Sequence, residues 1–120
     1  MQKITLELES AVKQAMCAWE SSPDTKKYEP FFINVLKLVK AELDAPLSEQ
    51  FFLSLMDDSS NDYTDLIMFC MRELRHPLVK EKAKNLCKVS SDVREKNSYE
   101  RILSVYEDCW EDQDLFEYFS

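Results

Sequence analysis

The sequence contains no glycine among its 120 residues and a single histidine, His76. Glycine lets the backbone approach a ligand closely or take a positive φ. It is therefore usually required in phosphate-binding loops, in dinucleotide-binding turns and in the nucleophile elbow of hydrolases. With a single histidine, the chain also has few options for histidine-based acid–base catalysis or metal binding. These shortages disfavour an enzyme, and the sequence predicts no catalytic residue, no cofactor and no metal site.

Long apolar runs are also missing, since no segment approaches the roughly 18 residues that a membrane span needs. The first nine residues include Glu7 and Glu9 and lack the uninterrupted apolar stretch of a signal peptide. The cysteines are widely spaced, with no Cys-x-x-Cys pair, which favours reduced thiols over a disulfide framework. We therefore expect a cytoplasmic protein without a membrane segment, and reduced, buried thiols at Cys17, Cys70, Cys87 and Cys109.

Acidic residues outnumber basic ones by 23 to 15, which gives a net charge of −8. The charge is uneven, because residues 72–101 carry nine bases and five acids, whereas residues 102–120 carry six acids and no base. This acidity argues against a general nucleic-acid binder, so direct nucleic-acid binding is not expected. The stripe formed by Lys80, Lys84 and Lys88 is interpreted as a solvated helix face, with phosphate contact as the alternative.

Apolar residues recur with helical periodicity, and no segment alternates convincingly like a strand. We predict an all-α fold of five to seven helices in one domain over residues 1–120, as a single compact bundle or as stacked helix pairs. Six consecutive apolar residues, Leu66–Met71, predict the most buried helix. The residues after Glu111 break the phase of the last helix and predict a separate turn or short helix. Other helices are expected over residues 3–20, from Pro30, from Pro46, over residues 77–89, and from Asn97.

The first candidate binding region is the polar loop over residues 57–65. An EF-hand calcium loop needs a central glycine and a glutamate at its twelfth position, where Met68 or Phe69 stands instead. The loop ends in residues suited to a helix N-cap. Two interpretations stay open, a solvated loop that caps the next helix and an acidic patch that faces a partner. The predicted partner-binding residues here are Asp57, Asp58, Asp62 and Asp65.

The second candidate is the acidic–aromatic C-terminal segment, residues 107–120, which mixes six acids with five large apolar residues. In one interpretation the aromatic residues belong to the core and cap the fold. In the other, the acids meet a basic partner and the aromatics supply binding area, and the two interpretations can hold for different residues. The predicted partner-binding residues are Glu107, Asp108, Trp110, Glu111, Asp112, Asp114, Phe116, Glu117 and Tyr118.

Residues 76–89, HPLVKEKAKNLCKV, resemble the second helix of a HEAT repeat. Such helices open near a proline and then turn Val, Ala and Leu inward. The resemblance covers 14 of the 120 residues. It implies stacked helix pairs and an adaptor or scaffold that binds partners through a concave helical face.

By its size, its acidity and its glycine-free helical pattern, the whole chain resembles the immunity proteins that bacteria make against their own nuclease toxins. These include the colicin type and the contact-dependent growth-inhibition type. The resemblance implies a non-enzymatic cytoplasmic protein that binds and neutralises a basic toxin. The active site of a nuclease is basic because it binds phosphates. Carboxylates on an inhibitor therefore stabilise its complex with the nuclease and accelerate association. A HEAT-like adaptor and a phage-type inhibitor that mimics nucleic acid remain the alternatives.

Overall fold

The computed structural model describes residues 6–58, 62–107 and 109–119, and at positions 111 and 112 it describes the backbone alone. Within these residues the fold is all-α, as the sequence predicts, with no strand. Two short 3-10 helices, Glu111–Leu115 and Glu117–Phe119, follow the last α-helix. The α-helices are α1 (Leu6–Ser21), α2 (Thr25–Glu42), α3 (Ala45–Asp57), α4 (Thr64–Leu74), α5 (Pro77–Val89) and α6 (Val93–Ser104).

The chain divides into two units. The first contains the residues up to Ser48 together with those from Glu111 onward, and the second is Glu49–Trp110. Helix α3 begins in the first unit and continues into the second. The single domain expected from the sequence remains a prediction.

In the first unit, α1 packs against α2. Helix α2 begins five residues before the predicted start at Pro30, because Asp24 takes an extended N-cap conformation and accepts a hydrogen bond from the Lys26 N–H at 3.1 Å. Pro30 therefore lies inside the helix, where its missing N–H removes one helical hydrogen bond. The apolar face of α2 points into the core, since Phe32, Val35, Leu36, Val39 and Leu43 are all buried.

In the second unit, α6 packs against both α4 and α5. Every residue of Leu66–Met71 is at most 3% exposed, which confirms that α4 is the most buried helix. Helix α4 ends at Leu74, and its C-cap is Arg75, whose φ of 50° is left-handed and whose N–H donates to the Met71 carbonyl at 2.9 Å. A chain without glycine thus uses arginine at this C-cap, and Pro77 opens α5 as predicted.

The predicted start of the last helix near Asn97 was wrong, because α6 begins at Val93. Asp92 is the N-cap, and its carboxylate accepts from the Arg94 N–H at 2.8 Å. Helix α6 also ends earlier than expected, at Ser104, so Cys109 is exposed instead of inward-facing. The two C-terminal 3-10 helices confirm the expected separate tail.

All four cysteines are free thiols. Burial was predicted correctly for Cys70, but Cys17 and Cys109 are exposed and Cys87 is half-buried. The error at Cys17 arises because it lies just outside the buried face of α1, next to buried Met16. Over the residues that the structure describes, none of the helices combines the length and apolarity that crossing a membrane demands.

Candidate functional site

Two aspartates of the 57–65 region are bound by cations of the second unit itself. The Asp57 carboxylate contacts the Lys82 Nζ at 2.5 Å, which joins the end of α3 to α5. The Asp65 carboxylate contacts the Arg101 Nη2 at 2.6 Å, which joins α4 to α6. Both carboxylates are therefore paired with a cation of a neighbouring helix, which leaves them less charge to offer a partner.

The other two aspartates of this region lie beside the start of α4. Asp62 is exposed, and its Oδ1 accepts a hydrogen bond from the Thr64 N–H at 3.0 Å. Asp58 is half-buried and accepts from the Tyr63 hydroxyl at 3.2 Å. The helix-capping interpretation thus fits Asp62, although it stands one residue before the N-cap position, Tyr63.

Asp58 and Asp62 line a groove of about 260 Å³ in the second unit, between the end of α3, the start of α4 and α6. Tyr99 also lines this groove. Partial burial, and then the negative charges of Glu95 and Asp57, raise the pKa of Tyr99. Among the described residues that line the groove, Asp58, Asp62 and Glu95 are acidic and Arg94 is basic, so the lining carries more negative than positive charge. Sequence analysis missed this groove, because the α6 residues that line it are distant along the chain from those of α3 and α4.

The C-terminal segment is held to α2 at two points in the first unit. The Phe116 ring is buried, with its centroid 6.4 Å from that of Tyr28. The backbone N–H of Tyr118 donates to the carboxylate of buried Glu29 at 2.9 Å. Sequence analysis did not select Glu29, although it shares the inward face of α2 with Phe32 three residues on.

Burial separates the predicted aromatic residues into two groups. Trp110, in the second unit, and Phe116, in the first, are each 5% exposed, which favours the core interpretation for both. Tyr118 is 38% exposed and therefore fits a recognition surface.

The predicted acids of this segment that the structure describes are exposed. In the first unit, Asp114 and Glu117 lie on either side of buried Phe116, next to Leu115, which is 54% exposed. In the second unit, Glu107 is exposed, and its backbone carbonyl accepts from the Arg72 Nη1 at 2.6 Å. Asp108 and the side chains of Glu111 and Asp112 lie outside the described residues.

Tyr118 and Glu117 also form one side of a groove along α2. The other side presents Pro30 and Ile33 between two lysines, Lys26 and Lys37. The spacing of these four positions, i, i+4, i+7 and i+11, places them on one helix face, which is the sequence signal that could have revealed the groove.

Two buried titratable groups of the second unit belong to the packing. Burial lowers the pKa of His76, and the charge of Glu49 opposes this effect only in part. The backbone carbonyl of His76 accepts from the Tyr106 hydroxyl at 2.8 Å. Burial also raises the pKa of the Cys70 thiol, which keeps it protonated.

The described residues thus offer binding surfaces built from carboxylates and apolar side chains. Among these residues, no group of three or more His, Cys, Asp and Glu is placed to hold a metal ion. In comparisons with known proteins, the chain matches no protein-family model, no curated protein and no solved structure.

Proposed function

We propose that this protein is an inhibitor of the immunity type. It binds a basic toxin that is a nuclease and neutralises the toxin by protein–protein contact. The observation that carries the proposal is the surface formed by Asp114, Leu115, Glu117 and Tyr118, which we call the C-terminal surface. It presents two carboxylates beside two exposed apolar side chains. In such an interface charge complementarity gives specificity and speed, and a few apolar or aromatic anchors supply most of the binding energy.

Buried contacts with α2 hold the backbone of the C-terminal surface in place. Phe116 is buried beside Tyr28, and the Tyr118 N–H is bonded to Glu29. Because these contacts fix the backbone, binding does not have to order it, and less of the interaction free energy is lost to conformational entropy. A backbone that is already ordered in this way favours tight binding.

The distribution of charge supports a basic partner. Residues 102–120 hold six of the 23 acids of the chain and no base. Local excess of one charge attracts an oppositely charged protein and raises the association rate, most strongly at low salt. The acids at positions 57 and 65 contribute less, because Lys82 and Arg101 already neutralise them.

The proposal is tested by capture followed by an activity assay. The immobilised chain is used to capture its partner from extracts of the source organism, and the captured protein is purified and assayed on DNA and RNA. We expect a basic protein whose hydrolytic activity falls to background at one equivalent of this chain. A captured partner that is acidic, or that keeps its activity when saturated with this chain, contradicts the proposal.

The same titration separates the proposal from its alternatives. An adaptor or scaffold of HEAT type binds several partners and leaves their activity unchanged. A nucleic-acid mimic inhibits several unrelated nucleases, because it imitates their common substrate. An immunity-type inhibitor acts on one nuclease and leaves unrelated nucleases active at the same concentration.

A further inference from the structure

We propose that the groove between the end of α3, the start of α4 and α6 is a socket for one arginine side chain of the basic partner. The proposal rests on the proposed function for the source of the arginine, but the socket itself is a property of this chain. Its volume of about 260 Å³ lies below the range of roughly 300–1,000 Å³ that is typical of small-molecule sites. A single long side chain therefore fits the groove better than a cofactor does.

The apolar part of the socket suits the aliphatic stem of an arginine. Leu55 and Met56 from α3, Ile67 from α4 and Ile102 from α6 line it. Long cationic side chains commonly bury their methylene groups against such surfaces while the charged head reaches polar groups at the edge.

The polar part of the socket carries an excess of negative charge. Asp58, Asp62 and Glu95 line it, and Arg94 is the one cation among the described residues that do so. Asp62 accepts from the Thr64 N–H at 3.0 Å, and Glu95 accepts from the Ser90 hydroxyl at 2.7 Å. A carboxylate has about four acceptor sites on two oxygens, so both can also accept from a guest cation.

Two tyrosines favour arginine over lysine as the guest. Tyr63 and Tyr99 both line the socket. The planar guanidinium of arginine stacks on aromatic rings and binds carboxylates through two N–H groups, whereas the ammonium of lysine is a strongly hydrated point charge. Glu95, whose negative charge acts on Tyr99, also lines the socket and would meet the guanidinium.

The test is an NMR titration of the isolated ¹⁵N-labelled chain with N-acetyl-arginine methylamide. We expect saturable shifts at Ile67, Tyr99 and Ile102, with a Kd of about a millimolar, the order that so small a ligand reaches. N-acetyl-norleucine methylamide, which has no charge, is expected to bind at least tenfold more weakly. N-acetyl-lysine methylamide, which is charged but not planar, is expected to bind more weakly than the arginine compound. Equal binding of the norleucine or the lysine compound, or no saturable shift at these residues, overturns the proposal.

Variants of the groove sharpen the test without disturbing the fold. Asp62→Asn with Glu95→Gln removes two charges but keeps both hydrogen-bond acceptors, since asparagine also serves a helix start. Ser98→Leu fills the groove and leaves every charge in place. Each is expected to abolish the saturable shifts, whereas the control Glu7→Gln with Glu9→Gln, on exposed positions of α1, leaves them unchanged. Unchanged shifts in both groove variants overturn the proposal.

The socket and the proposed function fail in different experiments. Binding of the arginine compound is measured without a partner, so a failed partner capture does not affect it. If Ser98→Leu inhibits the captured toxin as strongly as the natural chain does, the partner places no arginine in the groove and the socket proposal is wrong. The proposed function then still stands on the C-terminal surface.

Discussion

The backbone N–H of Tyr118 donates a hydrogen bond to the carboxylate of Glu29, 89 residues earlier in the chain, at 2.9 Å. Glu29 is only 4% exposed, so this bond forms where water competes little. It secures the last 3-10 helix, Glu117–Phe119, to the buried face of α2. The exposed Tyr118 side chain is consequently presented from a fixed backbone.

Removal of the Glu29 carboxylate is expected to loosen this attachment. Glu29→Ala leaves the Tyr118 N–H without its acceptor, and we expect a loss of about 1–3 kcal/mol in the free energy of unfolding. Glu29→Gln keeps an acceptor oxygen and is the matched control, with a smaller loss. Urea unfolding measures both, and hydrogen exchange at Tyr118 locates the effect. Equal stability of the alanine variant and the natural chain would show that the bond does not hold the segment.

Arg72 is expected to matter more for stability than Arg101. The Arg72 Nη1 donates to the Val105 carbonyl at 2.9 Å and to the Glu107 carbonyl at 2.6 Å, just beyond the end of α6. Arg72→Met removes these charged hydrogen bonds and is expected to cost about 1.5–3 kcal/mol. Arg101→Met breaks a partly exposed ion pair with Asp65 and is expected to cost about 0.2–1 kcal/mol. Thermal unfolding of both variants checks the order, and the reverse order contradicts it.

His76 is expected to make the fold less stable in mild acid. Its folded-state pKa is lowered from the ordinary value of 6.5, first by burial, so the unfolded chain binds the proton more readily. The corresponding stability is present above pH 6.5 and is lost as the pH falls below 6.5 towards the folded-state pKa. Urea unfolding at pH 7.5 and pH 5 measures this loss, and His76→Gln is expected to lose less between the same two pH values. A larger loss in the glutamine variant contradicts the prediction.

The four thiols are expected to react at different rates. Cys17 and Cys109 are exposed, whereas Cys70 is buried and its pKa is raised, which disfavours the reactive thiolate. With iodoacetamide on the native chain, we expect Cys17 and Cys109 to be alkylated first, half-buried Cys87 later, and Cys70 only after unfolding in urea. Peptide mass spectrometry gives the order. Alkylation of Cys70 as fast as Cys109 would contradict the burial of α4.

Local patterns in the sequence predicted the helices, and errors arose where two local signals competed. The apolar run Leu66–Met71 can be satisfied only by a helix buried on all sides, and α4 is that helix. Both Asp92 and Asn97 precede a glutamate by three residues, and only one of them could be the N-cap of α6. Asp92 takes this role, and it lies directly after the short connection from α5.

The candidate sites were less predictable, because they depend on contacts between distant residues. The ion pairs of Asp57 and Asp65 join residues 25 and 36 positions apart, and no periodicity indicates such pairs. The sequence could therefore select the acidic residues but could not tell which of them are neutralised within the fold. Similarly, only the fold shows that Phe116 is buried while Tyr118 is exposed.

The most direct test of the central claim is the affinity of the captured basic partner measured at several salt concentrations. Asp114→Asn with Glu117→Gln neutralises the C-terminal surface, and Glu7→Gln with Glu9→Gln is the control with the same change in net charge. We predict that the first pair weakens binding about tenfold or more and flattens the salt dependence, because exposed carboxylates act through screened attraction. The control is predicted to change the affinity less than twofold. Unchanged affinity and unchanged salt dependence in a folded Asp114→Asn, Glu117→Gln variant would contradict the account.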